Sequence, residues 1–224
     1  GFDAGERAVL PVLHARGVAR VDRAVVSHGD MDHAGGWPFV RAAMPVADAL
    51  APPGSRIVGT RPCIAGQRWT WDGVDFEVLH PVATDYDSPS AKPNTVSCVL
   101  RIGNGRAPAL LAGDIERAQE AALVARSAGS ALRADVLLVP HHGSKTSSSP
   151  PLLEAVQPRL ALVQAGYRNR FGHPAPPVRE AYAARGTTLV DSPHCGAAQW
   201  SSRAPGAVRC ARETQARYWH HRLP

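Results

Sequence analysis

Four metal-ligand side chains fall within six consecutive residues near the amino-terminal end of the sequence, at His28, Asp30, Asp32 and His33. A mixture of imidazole and carboxylate donors suits Zn²⁺, Mn²⁺ or Fe²⁺ rather than a soft, thiolate-bound metal. In a loop that enters a helix, the first two side chains can face one ion and the last two its neighbour. The alternative interpretation is a polar surface turn in which an aspartate caps the following helix.

Further ligand-type residues also follow short apolar runs. The apolar runs lie at residues 24–27, 110–113, 136–140 and 160–163. The first leads into the cluster above, and the residues that follow the other three are Asp114, His141, His142 and His173. Because the carboxyl ends of strands in a layered α/β fold converge on one crevice, we expect these side chains to meet there. Such convergence of His and Asp is what a two-metal hydrolytic site requires.

The elements that must position these residues alternate between strands and helices. Helical spacing covers residues 5–17, 34–44, 115–128, 152–156 and 178–185. Short apolar runs predict strands at residues 24–27, 96–102, 108–112, 136–139, 160–164 and 187–190. Residues 68–79 alternate around Asp72-Gly73, which predicts a hairpin, and residues 197–212 predict a closing hairpin. With no repeat or linker, we expect one α/β domain over residues 1–224, built from two sheets flanked by helices.

The motifs resemble one family. His28-x-Asp30-x-Asp32-His33 is similar to the H-x-H-x-D-H signature of the metallo-β-lactamase fold, with Asp30 at the second His position. The segments that carry a closer resemblance are Ser27–Gly36, Leu111–Glu116, Val139–Ser147, Phe171–Pro174 and Gly1–Asp22. They resemble the carboxyl-terminal domain of ComEC, an inner-membrane channel that imports single-stranded DNA during natural competence. The resemblance covers essentially the whole chain and implies an αββα metallo-β-lactamase-like fold.

The resemblance implies a ligand set for two divalent transition-metal ions, Zn or Mn. His28 and Asp30 begin the first site, while Asp32, His33 and His141 complete the second, and Asp114 bridges the two ions. A hydroxide activated by both ions would attack phosphorus in line. Asp32, Asp114 and His173 are the expected catalytic residues: Asp32 would orient the hydroxide, and His173 would stabilise the phosphate or protonate the leaving oxygen. An exposed loop histidine is the alternative interpretation of His173.

A second group of residues is expected to contact the substrate: Asn94, His142, Ser144, Lys145 and Thr146. The last three precede a helix that opens at Pro150-Pro151, and hydroxyls, backbone N–H groups and a lysine at a helix N-terminus favour a phosphate. An ordinary serine cap with a flexible approach is an equally simple interpretation. His142 is interpreted either as a partner of the neighbouring ligand or as a packed residue.

The sequence departs from the family pattern in two places. The family domain opens with a strand that carries an Asp-Val-Gly-Gln-Gly-Asp motif, and no such motif precedes Gly1, so we expect a fragment that lacks the first strands and the membrane segments. Where metallo-β-lactamase hydrolases have a third histidine on the first metal, this sequence has Asn94. Because an amide is a weak, neutral ligand, we expect that metal to bind loosely or only with substrate.

Composition excludes several classes of protein. The hydrophobic content of 44% is ample for a core, and no run approaches the roughly 18 apolar residues of a membrane helix. We therefore expect a soluble globular domain without membrane insertion of its own. The net charge is +6, and all but two of the 25 Lys and Arg residues are arginine, which is compatible with nucleic acid as a partner or with a GC-rich genome.

The four cysteines form no C-x-x-C pair, so a zinc ribbon is excluded and either two disulfides or four buried thiols remain. The resemblance implies a periplasmic, extracytoplasmic location, where disulfides persist. In that setting we expect Cys195–Cys210, which flank the closing hairpin, and Cys63–Cys98, which lie at adjacent β segments.

The leading functional hypothesis is a metal-dependent DNase that acts during DNA uptake on a single strand or on the strand that is not imported, beside the rest of the membrane channel. A second hypothesis is a DNA-guiding module of the channel with vestigial metal sites, which Asn94 and the missing first strand favour. A third is a small-molecule hydrolase of the same fold that cleaves a thioester or a lactam. The arginine excess and Lys145 argue against the third.

Overall fold

The computed structural model describes residues 3–53, 57–88 and 92–218. The chain forms two compact units, the first comprising Gly1–Gln67 with Val78–Val99 and the second comprising Arg68–Glu77 with Leu100–Pro224. Within the described ranges, no helix has both the length and the apolar character needed to cross a membrane.

The first unit contains a small parallel sheet with helices. Its strands, in sheet order, are β1 (Ala24–Val25), β2 (Ala49–Ala51) and β3 (Arg61–Pro62). Its helices are α1 (Leu10–Ala15), which continues a π-helical turn at Gly5–Val9, α2 (Met31–Ala34) and α3 (Trp37–Ala43), and 3-10 turns lie at Ala83–Tyr86 and Pro93–Val96. The sequence predicted β1 and the helical stretches that contain α1 and α3, but it did not predict β2, β3 or α2, which forms within the expected loop ahead of residue 34.

Two small apolar clusters hold the first unit together. The first consists of Val26, Trp37, Ala49, Ala51 and Ile57. The second packs α1 against α3 through Leu10, Val40 and Met44. Because Val26 directly follows β1 and is buried, the chain leaves the sheet at a fixed point, and the residues that follow it form a defined loop.

The second unit contains most of a seven-stranded sheet. The strands are β4 (Arg68–Trp71), β5 (Val74–His80), β6 (Val99–Gly103), β7 (Ala109–Leu111), β8 (Val136–Leu138), β9 (Leu160–Val163) and β10 (Thr188–Asp191). Their order is β10-β9-β8-β7-β6-β5-β4. The hairpin predicted around Asp72-Gly73 is confirmed as β4–β5, with φ of +50° and +74° at the two turn residues. Those left-handed values are the ones that a two-residue hairpin turn requires.

Helices and a short ribbon complete the second unit. The helices are α4 (Arg117–Arg126), α5 (Pro150–Val156), α6 (Pro176–Ala183), α7 (Ser192–Cys195) and α8 (Ala211–Thr214), with a 3-10 turn at Pro140–Gly143. The predicted closing hairpin is confirmed as β11 (Ala198–Trp200) paired antiparallel with β12 (Val208–Cys210). The fully buried residues include Leu110, Leu123, Leu137, Leu152 and Tyr182.

Parallel pairing in the second unit aligns the ends of three strands. β7 pairs with β8 through Leu111 and Leu138, and β8 pairs with β9 through Leu138 and Leu162. The carboxyl ends of these strands therefore meet at one edge of the sheet, as predicted. The segments that follow them start from this edge, and they contain Asp114, the His141-His142 pair and His173.

Both predicted disulfides are confirmed. Cys63 and Cys98 are joined within the first unit with a Cα separation of 6.3 Å. Cys195 and Cys210 are joined within the second unit with a Cα separation of 4.5 Å, which links α7 to the end of β12. No cysteine in the described part of the chain is left as a thiol.

Candidate metal-binding residues

The first group of candidate ligands lies on the loop from β1 into α2. His28 is completely buried, whereas the side chains of Asp30 and Asp32 are 48% and 65% exposed. Asp30 is the N-cap residue of α2, and its carbonyl accepts the backbone N–H groups of His33 and Ala34. Asp30 thus occupies the N-cap position, but its side chain makes no capping hydrogen bond, so the capping role considered from the sequence is absent.

The two histidines of this loop are held in the same way. The Ser27 hydroxyl lies 3.1 Å from Nδ1 of His28 and 3.0 Å from Nδ1 of His33. The Ser97 hydroxyl lies a further 3.3 Å from Nδ1 of His28. Each ring thereby turns its Nε2 toward a carboxylate, with 3.4 Å from His28 to Asp30 and 3.8 Å from His33 to Asp32.

The second group of candidate ligands belongs to the second unit and centres on Asp114. This carboxylate is buried, and its Oδ2 lies 3.9 Å from Nε2 of His141 and 3.4 Å from Nε2 of His142. Both histidines have left-handed backbone conformations, with φ of +50° and +54°, and Gly143 follows at +80°. Left-handed conformations at two consecutive non-glycine residues are strained, and they bring two adjacent side chains onto one carboxylate.

Contacts at Nδ1 orient these two imidazoles. Nδ1 of His142 lies 2.7 Å from the carbonyl oxygen of Gln164, which only accepts, so Nδ1 carries the proton in the neutral His142 ring. Nδ1 of His141 lies 3.4 Å from the Thr146 hydroxyl and 3.2 Å from Oε1 of Glu116. Nε2 of the neutral His142 ring therefore presents a lone pair to the Asp114 carboxylate, and two acceptors that face each other repel unless a cation lies between them.

The donor set fits divalent metals. All four histidines use Nδ1 for a contact with the protein and turn Nε2 toward an aspartate, which is the usual arrangement of imidazoles that bind a metal. The 3.4 Å separations exceed a good hydrogen bond. They match the distance of about 3.4 Å between two donors that each lie about 2.1 Å from one tetrahedral Zn²⁺.

His173 lies near the second group. The rings of His173 and His141 are 6.2 Å apart and inclined by 61°. Among the described residues, Nδ1 of His173 is buried without a hydrogen-bond partner. Burial lowers the pKa of His173, and the neighbouring charges of His141 and His142 lower it further while Asp114 opposes them.

Residues 144–146, which precede α5, make hydrogen bonds within the protein. The Thr146 hydroxyl donates to Oε1 of Glu116 at 2.9 Å and lies 3.0 Å from the Ser144 hydroxyl, which is buried. Lys145 is exposed, and its carbonyl accepts from Arg117 at 2.9 Å. Contact of Ser144, Lys145 and Thr146 with substrate remains a prediction.

The N-terminus of α5 is capped from inside the protein. The fully buried Glu120 of α4 accepts the backbone N–H of Ser148 at 2.6 Å and that of Ser149 at 2.7 Å. These donors, which the sequence interpretation offered to a phosphate, thus bind a carboxylate of the chain itself. Burial raises the pKa of Glu120 above its ordinary value, and it outweighs the hydrogen bonds and the charge of Arg117, which lower it.

Asn94 has a predicted role near the imidazoles, whereas three residues that support them were not predicted. Asn94 lies half-buried in the 3-10 turn at Pro93–Val96, and its role as a weak ligand remains a prediction. Ser27, Ser97 and Glu116 support the imidazoles but were not singled out from the sequence. Ser27 and Glu116 border the motifs, which is a usable signal, whereas Ser97 lies 69 residues from His28 and gives none.

Comparison with known sequences identifies the family. The model of the metallo-beta-lactamase superfamily matches residues 1–167. Competence protein ComA of Neisseria gonorrhoeae is 37% identical over 221 residues, covering 99% of this chain and 31% of the relative. Recombination protein 2 of Haemophilus influenzae is 34% identical over 176 residues, covering 78% of this chain and 21% of the relative. ComE operon protein 3 of Bacillus subtilis is 30% identical over 188 residues, covering 77% of this chain and 24% of the relative. The chain thus spans about a third or less of these relatives.

Solved structures agree on the fold alone. A protein of Parabacteroides distasonis that is named as a metal-dependent hydrolase aligns with a TM-score of 0.50 at 12% identity, covering 77% of this chain and 76% of its own. The α/β class and the metallo-β-lactamase-like fold predicted from the sequence are confirmed. This chain belongs to the metallo-β-lactamase superfamily, and its resemblance to the carboxyl-terminal domain of the ComEC competence proteins is confirmed.

Proposed function

We propose that this chain is a metal-dependent nuclease, a phosphodiesterase that hydrolyses DNA during DNA uptake. The observation that carries the proposal is the shared arrangement of the four imidazoles, whose Nδ1 atoms contact the protein while their Nε2 atoms face aspartates. The superfamily fold implies divalent metals, and the names of the relatives associate this domain with competence. Zn or Mn suits the N and O donors.

The proposed ligands follow the two groups described above. His28, Asp30, Asp32 and His33 supply the ligands of the first unit, and Asp114 and His141 those of the second. His142 joins this set, because its Nε2 is 0.5 Å closer to Asp114 than that of His141, at 3.4 Å against 3.9 Å. When bound, divalent ions lower the pKa of water and stabilise charge that develops on phosphate oxygens.

Three side chains are proposed to act on the substrate or on the attacking water. Asp32 is mostly exposed, so its carboxylate can orient the attacking water and accept its proton at Oδ2. His173 is proposed to stabilise the phosphate or to protonate the leaving oxygen through its imidazole. Exposed Lys145 adds a cation for a phosphate, so Lys145→Ala is expected to weaken DNA binding, most strongly at low salt.

The domain is proposed to act on the extracytoplasmic side of the inner membrane, on a single strand or on the strand that is not imported, as part of a longer channel protein. Two disulfides support this location, since such bonds persist in oxidising compartments. The 23 arginines suit an anionic polymer as the substrate.

The test combines metal content with cleavage of labelled DNA. The parent chain is expected to retain Zn²⁺ or Mn²⁺ by elemental analysis and to cleave labelled single-stranded DNA. Asp114→Ala should lose both properties, whereas Asp22→Ala, at a surface residue whose side chain is 56% exposed, should lose neither. His173→Ala should retain the metal and slow cleavage about 10²–10⁴-fold, the range for a positioned acid or base.

Two outcomes would contradict the proposal. If Asp114→Ala cleaves DNA as fast as the parent, the cleavage comes from a contaminant. If the metal-loaded parent binds DNA but leaves both single and double strands intact, the DNA-guiding module replaces the nuclease as the function. Cleavage of a thioester or lactam without cleavage of DNA would favour the small-molecule hydrolase.

A further inference from the structure

A cationic loop with exposed aromatic rings follows β9. We call residues 164–172 the arginine–aromatic loop. It presents Tyr167 and Phe171, which are 41% and 66% exposed, together with the exposed Arg168 and Arg170. The loop contains no acidic residue, so it combines two positive charges with two large rings. None of these four side chains is among the proposed metal ligands.

The loop has a defined conformation because Asn169 ties it together. The Asn169 amide nitrogen donates to the carbonyls of Gly166 at 3.0 Å and His173 at 2.7 Å, and its Oδ1 accepts the backbone N–H of His173 at 2.9 Å. A backbone bond from Gly172 N to Asn169 O, of 3.1 Å, closes the turn. Ordered in this way, the rings lose little conformational entropy when a ligand binds.

The aromatic rings are arranged in a series that reaches the histidines of the second unit. Phe171 stacks on His173 with ring centroids 5.5 Å apart and planes within 17°, and His173 in turn lies 6.2 Å from His141. The guanidinium of Arg170 lies 4.8 Å from the centre of the Phe171 ring, and that of Arg168 lies 5.2 Å from the centre of the Tyr167 ring. A flat ligand stacked on Phe171 would therefore lie beside the proposed metal ligands.

We infer that the arginine–aromatic loop is a binding platform for single-stranded nucleic acid, in which a base stacks on Phe171 while Arg168 and Arg170 contact phosphates. Aromatic faces combined with basic side chains are the usual means of holding single strands without sequence preference. The positive charge selects a polyanion over an apolar partner, and duplex DNA does not expose the faces of its bases. The inference deepens the proposed function, because it takes DNA as the substrate of the adjacent site.

The test measures binding rather than cleavage. A fluorescent oligothymidylate and a strand of the same length made of base-free sugar phosphates are titrated into the parent chain and its variants, all in the presence of a metal chelator. Phe171→Ala should weaken binding of oligothymidylate about 5- to 150-fold, since stacking on one aromatic ring contributes about 1–3 kcal/mol. Phe171→Trp should restore the affinity, and neither change should affect binding of the base-free strand.

Matched variants complete the design. Phe39→Ala removes a ring of 39% exposure from α3 and should bind both strands as the parent does. Arg170→Ala should lower the slope of log affinity against log salt by about 0.7, the value for one phosphate contact on a single strand. Thermal unfolding verifies that each variant is folded.

The outcomes separate this inference from the proposed function. Equal oligothymidylate affinity for the parent and Phe171→Ala overturns the platform. An equal loss of affinity for oligothymidylate and for the base-free strand also overturns it, because such a loss would not depend on stacking of a base. A parent that binds neither strand also overturns it. If binding depends on Phe171 but the metal-loaded parent does not cleave DNA, the platform is upheld and the nuclease proposal fails.

Discussion

Replacing Glu120 by glutamine tests how a buried carboxyl stabilises the second unit. The two carboxyl oxygens accept the N–H groups of Ser148 and Ser149 at 2.6 and 2.7 Å, and the side chain is fully buried. The amide of Glu120→Gln retains one acceptor and turns an NH₂ group toward the other N–H. A buried donor without an acceptor costs about 1–3 kcal/mol, so we expect that loss in the free energy of unfolding. Glu120→Ala leaves both donors unsatisfied and should cost about 2–6 kcal/mol.

The pH dependence of this loss follows from the raised pKa. Burial raises the pKa of Glu120 above its ordinary value of 4.5, against the hydrogen bonds from Ser148 and Ser149 and the charge of Arg117, while buried Tyr182 stays neutral beside it. Between the unfolded and folded pKa values the folded state binds more protons, so its stability falls as the pH rises. The destabilisation by Glu120→Gln should therefore be largest below pH 4.5 and should shrink as the pH rises above that value.

The assay is urea unfolding at a series of pH values with the disulfides intact, followed by the fluorescence of the five tryptophans. Glu180→Gln, at an exposed position of α6, is the matched control and should change stability by less than about 0.5 kcal/mol at every pH. If the loss caused by Glu120→Gln grows as the pH rises, the two N–H groups favour the carboxylate more than burial opposes it, and the reasoning is refuted.

Two further predictions concern the backbone and a disulfide. Gly143→Ala should lower the free energy of unfolding by at least about 1–2 kcal/mol and weaken metal retention, because φ is +80° and the new Cβ would lie 2.5 Å from Cβ of Pro174. Gly105→Ala, at a φ of +75° with open space around the new Cβ, is the control that measures the conformational cost alone. Equal losses for the two variants in urea titrations would exclude the steric contribution. Replacing Cys195 and Cys210 together by serine should lower stability by about 3 kcal/mol, since the bond closes a loop of 15 residues. An unchanged melting temperature would show that this bond adds nothing to stability.

Local features of the sequence predicted much of the second unit. Strands β7 to β9 are short apolar runs bounded by polar or glycine-rich segments, and Asp72-Gly73 identifies the β4–β5 turn, because only certain residues adopt left-handed conformations readily. The first unit was harder to predict. Strand β2 is Ala49–Ala51, and alanine is depleted in strands, while β3 consists of the exposed Arg61 and Pro62, which form no apolar run.

The composition of the candidate metal-binding motifs came from the sequence alone. Imidazole and carboxylate side chains that follow apolar strands identify the donors, since chemistry and order along the chain are local properties. What each donor contacts is decided by tertiary structure. Ser97 meets His28 from 69 residues away, and Glu120 caps Ser148 and Ser149 from another helix. The left-handed backbone at His141 and His142 is likewise maintained by packing, because neither residue favours it intrinsically. Orientation of the imidazoles and occupation of the α5 N-terminus therefore depend on contacts that form only when distant segments pack together.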